Sequence, residues 1–262
     1  MNIHIKKIFS IVLLSVVVVF NACKDDDDNP TPPVTNVPPM LTLEMDHLAG
    51  NEKFYLDSTY TNENGDQFTA TLFKYYISNI RLIGVNNAEV AIPETYFLVN
   101  QDDESSFTLD MDSLPIGLFK SIKFMIGVDS AHNVSGAQAG ALAQSNGMFW
   151  DWNSGYIFLK LEGTSPAIPS AGNDFTYHIG GFQGANINYK EVEIGFDGDI
   201  LTLNNNRHPE LHFVVDVLEI FKNPTTINVA TFPSTIMSPT PSAGVLANNY
   251  ADMITYDHMH DE

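Results

Sequence analysis

From residue 40 onward apolar residues recur at every second position, and this alternation most narrows what the chain can fold into. In MLTLEMDHL (40–48), Leu41, Leu43, Met45 and His47 share one face, while Thr42, Glu44 and Asp46 share the other. A period of two belongs to a strand with one buried face, because successive side chains leave a pleated backbone on opposite sides. FTATLFKYYISNIRLI (68–83) is long, aromatic and β-branched, and reads as one bent strand or as two. ETYFLVN, SFTLD, FKSIKFMIGVD, GYIFLKLEG, FTYHIGG, KEVEIGF, DILTLN and LHFVVDVLEIF carry the pattern to residue 221. Turn formers such as NENGDQ, VNNAE, SLPIG and NNNRHP separate them. Helical periodicity is thin: SGAQAGALAQS (135–145) suits one short helix, and ADMITY (251–256) is a weaker case. About ten strands with hairpin-scale loops and no βαβ alternation predict an all-β antiparallel sandwich. One or two short helices accompany it, in a single domain over residues 40–262.

The first residues follow another logic. MNIHIKK is basic, IFSIVLLSVVVVF is an apolar stretch of thirteen residues, and NAC ends in the chain's only cysteine. That is the layout of a secretory signal, its apolar part too short for a stable span. The cysteine at the cleavage point makes residues 1–22 a lipoprotein signal peptide, with Cys23 as the lipidated mature N-terminus. No thiol then remains for a disulfide. KDDDDNPTPPVTNVPP (24–39) is acidic and then proline-rich, cannot bury enough apolar surface to fold, and is expected to be an extended tether. An acidic run directly after such a cysteine resembles the surface-export signal of Bacteroidetes lipoproteins. The expected location is therefore the outer membrane, through the lipid anchor, facing the cell surface or otherwise the periplasm. After Cys23 the chain has ten Lys and Arg against 32 Asp and Glu, a net charge of −22. Such a field repels nucleic acid and favours cations.

No familiar catalytic set is present: no free thiol, no GxSxG, no HExxH, no CxxCH and no phosphate loop. The expectation is a binding protein and not an enzyme. A copper oxidoreductase would need an open coordination position beside a cleft. Histidines are the residues to weigh. His132 and His208 lie in polar loop sequence, and His212 alternates with Leu211, Phe213 and Val215, so it points to solvent or a sheet edge. His47 occupies an apolar face, as a hydrogen-bonded core residue or as a ligand. His178, in FTYHIGG, shares a face with Thr176 and Gly180, and the glycines leave room beside its imidazole. His258 and His260, in DHMHDE, face one side if extended, a spacing suited to copper or zinc. The turns DMD, DWN and DGD offer oxygen ligands of the calcium type, although acidic turns without metal are commoner. Both tryptophans, Trp150 and Trp152, fall in GMFWDWNSGYIFLKLEG (147–163). They read as aromatic core packing, as the wall of a metal pocket, or as a stacking platform in a carbohydrate- or peptide-binding module.

Taken together, LEMDHLAGNEKFYLD, LFKYYISNIRLI, FKSIKFMIGVDS, GMFWDWNSGYIFLKLEG and FTYHIGG resemble, in order and spacing, the MbnP-like family. These are copper-binding periplasmic or surface proteins associated with methanobactin systems and with copper-repressible proteins of methane oxidisers. The sharpest mark is M-x-W-x-W-x-x-G-Y, from Met148 to Tyr156. The resemblance implies a β-sandwich that binds copper, expected as Cu(I), through histidine imidazoles. It implies His47 and His178 as ligands, with His258 and His260 as an auxiliary pair. It also implies oxidation of Trp150 or Trp152 to kynurenine, whose amine joins the copper site, by a partner di-haem enzyme of the cytochrome c peroxidase type.

Overall fold

Alternation along the chain becomes two sheets facing each other in a computed structural model that describes residues 37–152 and 155–260. The signal sequence, Cys23 and the tether up to residue 36 lie outside the described residues. In chain order the first strands are β1 (Leu41–Ala49), β2 (Glu52–Lys53), β3 (Thr59–Thr61), β4 (Gln67–Gly84), β5 (Glu89–Ala91) and β6 (Tyr96–Asn100). Then come β7 (Thr108–Met111), β8 (Gly117–Ile126), the short helix α1 (Ser130–Val134), β9 (Ile157–Thr164) and β10 (Asp174–Gly180). Next are β11 (Lys190–Gly195), β12 (Leu201–Leu203), β13 (Glu210–Asp216) and β14 (Thr235–Ile236). Helix α2 (Pro241–Tyr250) and β15 (Ile254–His260) complete the described chain.

The smaller sheet runs β15-β13-β1-β2, with β7 also paired to β1. The larger runs β11-β8-β4-β9-β10-β14, with β12 on β8 and β3, β5 and β6 along β4. Leu43, Met45, Leu211, Phe213 and Val215 from the first sheet meet Phe73, Tyr75, Leu161 and Tyr177 from the second in one apolar core. Tyr76 and Phe158 alternate with the core residues Tyr75 and Leu159. They belong to a second apolar cluster, with Val128, Met148, Trp150 and Tyr156, on the outward face of the larger sheet.

The all-β sandwich expected from the alternation is what forms. Three details differ. The sheets are mixed, because β1 pairs with β13 in parallel and β10 with β14 likewise. Alternation fixes which face a residue takes but not which strand lies beside it. The fifteen strands exceed the expected ten because several are two- or three-residue pieces paired to longer strands. The helices also sit elsewhere. Gly136 and Gly140 adopt φ of 79° and 63°, so residues 135–145 break into short turns, and α1 instead precedes them, capped by Asp129. Residues 254–256 belong to β15, and the second helix starts at Thr240-Pro241, where the threonine side chain accepts from the Ala243 N–H. Residues 67–84 make one strand, bent where Asn79 takes φ 54° and the register against β8 shifts.

Candidate metal centre

At the edge of the smaller sheet β15 pairs antiparallel with β13, with His212 opposite His258 and Glu210 opposite His260. Leu211 and Phe213 point into the core, so His212 between them faces outward. His258 and His260, two residues apart on an extended strand, face the same way. The consequence is a cluster of three imidazoles. The His212 and His258 rings stack with centroids 4.4 Å apart and planes within 9°. The His260 ring meets both edge-on, at 5.0 and 4.7 Å. His258 Nε2 and His260 Nε2 lie 3.1 Å apart.

One nitrogen from each ring falls within 4.8 Å of the others, and among the described residues this is the group of three metal-ligand side chains that converges. Asp257 Oδ2 accepts from His258 Nδ1 at 2.8 Å, which leaves the Nε2 lone pair facing His260. A carboxylate behind an imidazole is the usual way a metal-binding histidine is oriented. His212 Nε2 is shielded from solvent and has no hydrogen-bond partner, with Glu210 standing off at 3.8 Å. A buried imidazole nitrogen with nothing to bond is unfavourable unless something else takes its lone pair or proton; the Nδ1 atoms of His47 and His178 share that condition, but of the three only His212 stands in a converging group. A tetrahedral ion at about 2.0–2.1 Å from each nitrogen wants nitrogen–nitrogen separations of about 3.3 Å. The His258–His260 pair is already near that, and the His212 nitrogen lies within 4.8 Å of both. Met259, between the pair, turns the other way and packs against the core. The donor set is therefore three nitrogens with no sulfur, open to solvent on its outer side.

The other expected ligands do not join this cluster or one another. His47 is buried in the core between the sheets, its Nε2 3.0 Å from the Tyr75 hydroxyl and its ring edge-on to Phe73, Tyr75 and Phe107. Burial drives its pKa down to about 3, with the Gln101 side chain pulling weakly the other way. His178 aligns with Lys160, which aligns with Lys74 between the inward-facing Phe73 and Tyr75. It thus lies on the outward face of the larger sheet, with the sheet between it and His47. The expected His47–His178 pair cannot share one ion. His178 Nε2 is instead held 2.7 Å from Glu162 Oε1, and burial lowers its pKa more than Glu162 raises it.

The tryptophans divide as well. Trp150 is 3 % exposed and Trp152 63 %, although their rings lie 5.8 Å apart. Trp150 lies across Gly180, where a Cβ would meet its ring at 2.7 Å, so the glycine is what admits the indole. That puts Trp150 on the same face as His178 and on a different sheet from the three-histidine cluster. It lines a cavity of about 80 Å³ with Tyr156, Gly181, Phe182 and Pro239, and its indole N–H has no partner. None of the histidines lines that cavity.

His132, expected as a free loop residue, is half-buried and locked. Its Nδ1 lies 2.7 Å from the Tyr96 hydroxyl and 2.9 Å from Asp129 Oδ2, and Asp129 caps α1. Tyr96 and Asp129 are also hydrogen-bonded, and the carboxyl is held down to about 2 by its donors against the effect of burial. His208 bonds the Thr42 hydroxyl at 2.8 Å. His212 is the member of the cluster that sequence reasoning left out. Its outward position on a strand was visible, but the pairing that brings it to His258 was not.

The family model for MbnP matches residues 38–238. The chain belongs to the MbnP family. A solved structure, MbnP from Methylosinus trichosporium, is 14 % identical, covers 76 % of this chain and 80 % of its own, and superposes with a TM-score of 0.49. No curated protein matches. The MbnP match ends before β15, so His258 and His260 lie beyond the matched segment.

Proposed function

We propose that this MbnP-family chain is a copper-binding lipoprotein that captures the metal at His212, His258 and His260 for acquisition, storage or handover. The observation that carries the reading is the convergence of three imidazole nitrogens within 4.8 Å on an exposed strand edge. Imidazole suits copper, and copper(II) heads the affinity order of the divalent first-row metals at nitrogen sites. Three nitrogens without a direct carboxylate serve Cu(I) as well. His212, His258 and His260 would hold the ion, and Asp257 would fix the His258 tautomer. The bound ion would bring coordination. Anchoring through Cys23 and exposure at the cell surface complete the proposal. Oxidation of Trp150 or Trp152 by a di-haem partner enzyme would be a separate event on the other sheet. The mass of the 147–163 peptide reads it directly.

Equilibrium dialysis with elemental analysis tests the site. One copper per chain is expected, with His258→Ala weakening binding roughly a hundredfold or more, since a few ligands share a site free energy on the order of 10 kcal/mol. Asp257→Asn is expected to cost roughly tenfold. Unchanged binding in a chain with all three histidines replaced by alanine overturns the reading. The exposed Trp152 favours a second reading, a glycan-stacking platform. Metal-independent glycan binding that Trp152→Ala abolishes would establish it instead.

A further inference from the structure

Ten large apolar residues are exposed among the described residues, and five of them gather at one end of the sandwich: Val37, Val85, Ile116, Leu118 and Ile200. Backbone pairing ties them together. The Val85 N–H donates to the Leu118 carbonyl at 3.1 Å, and Leu118 stands opposite Thr202 in the β8–β12 ladder, two residues from Ile200. Ile116 immediately precedes that ladder. Val37 and Asn206, just past β12, exchange hydrogen bonds. A groove of about 360 Å³ runs between Val85, Val90, Pro115, Ile116 and Leu118. Single exposed apolar side chains are ordinary, but a contiguous group marks a contact surface.

This is also the end at which the chain enters the fold. The Leu114 N–H donates to the Pro39 carbonyl, two residues from Ile116. Residues 24–36 separate that point from Cys23. Even fully extended, thirteen residues reach no more than about 45 Å, so a lipid on Cys23 ties this end of the domain, and not the opposite one, to the bilayer. We infer that the Val85–Ile116–Leu118 end docks on the lipid surface, its aliphatic side chains entering the interfacial region while the acyl anchor holds the domain in place. The inference rests on reading Cys23 as lipidated. The strongly negative net charge disfavours anionic headgroups, so the partner chemistry is a zwitterionic lipid surface met by apolar contact.

The mature acylated chain, reconstituted in phosphatidylethanolamine–phosphatidylcholine vesicles, supplies the test. An environment-sensitive fluorophore is placed at Ile116→Cys and, for comparison, at Val134→Cys. Val134 is exposed and follows the far end of β8, about 30 Å away by strand length. The expected result is a blue-shifted probe at 116, quenched by lipids bearing a nitroxide near the headgroup, and an unquenched probe at 134. Adding Leu118→Asp and Val85→Asp is expected to remove most of the quenching while the protein stays vesicle-bound. Equal quenching at 116 and 134 overturns the docking surface. A blue shift accompanied by a doubled particle mass and no lipid quenching overturns it in favour of a second copy of the chain. A mature chain whose Cys23 carries no acyl mass overturns the anchor reading separately.

Discussion

Two sets of histidines sit in this sandwich, and they differ in whether their ring nitrogens converge. His47 and His178 are nearly inaccessible and give a nitrogen to Tyr75 and to Glu162. His212, His258 and His260 are partly or fully exposed and turn nitrogens toward one another. An inward histidine on an apolar face is thereby held among core rings, whereas outward histidines on two neighbouring strands, β13 and the edge strand β15, gather into a cluster. Burial suggests importance, and the Nδ1 atoms of His47 and His178 are also without a partner, but a metal site needs several such nitrogens turned toward one point.

The contrast can be broken in measurable ways. Replacing both His258 and His260 by alanine should lower copper affinity by more than a thousandfold, read by competition with a chelator, and leave the melting temperature of the metal-free protein almost unchanged. Surface changes of this kind usually stay within about 0.5 kcal/mol. His47→Ala should do the opposite. It leaves the Tyr75 hydroxyl unpaired in a cavity among Phe73 and Phe107, at a cost of about 3 kcal/mol in urea unfolding, with copper stoichiometry intact.

A third test uses pH. His47 is neutral when folded, with its pKa depressed from 6.5 to about 3. Below pH 6.5 the unfolded chain takes up a proton that the folded chain refuses, so stability falls as pH drops from 6.5 toward 3. The loss from this group is a little over 1 kcal/mol per unit, and His47→Leu should flatten that slope. The smallest effect is expected from Glu162→Gln. The His178–Glu162 pair is partly exposed on the glutamate side, so its loss should cost about 1 kcal/mol or less without altering metal binding. A large loss of copper from His47→Ala or Glu162→Gln would erase the distinction between the two sets.

Much of this was readable along the chain. Leu41, Leu43, Met45 and His47 share one face in the sequence, and all four are buried. The bend within the single strand 67–84 was ambiguous, because a positive φ at its lone asparagine, Asn79, leaves only a weak compositional trace. What stayed hidden was partnership. His178 shares a face with Gly180, as its spacing says, but only the strand order shows that this face looks away from His47. The separation of Trp150 from Trp152 was equally out of reach. Two residues apart, they promise a common side, yet Trp150 enters the turn before β9 and lies across Gly180, while Trp152 stays in the open. His212 and the terminal pair are more than forty residues apart, and nothing local to either announces the other.

The first strand of the smaller sheet, β1, has as its parallel neighbour a strand made some 160 residues later, and the outermost strand of that sheet comes last of all. A nascent chain consequently cannot assemble the three-imidazole nest until residues 254–260 have emerged and paired onto the edge. Clipping the chain before residue 254 would leave His212 without its two neighbouring imidazoles. Synthesis thus closes the cluster only after the strands beneath it have been made.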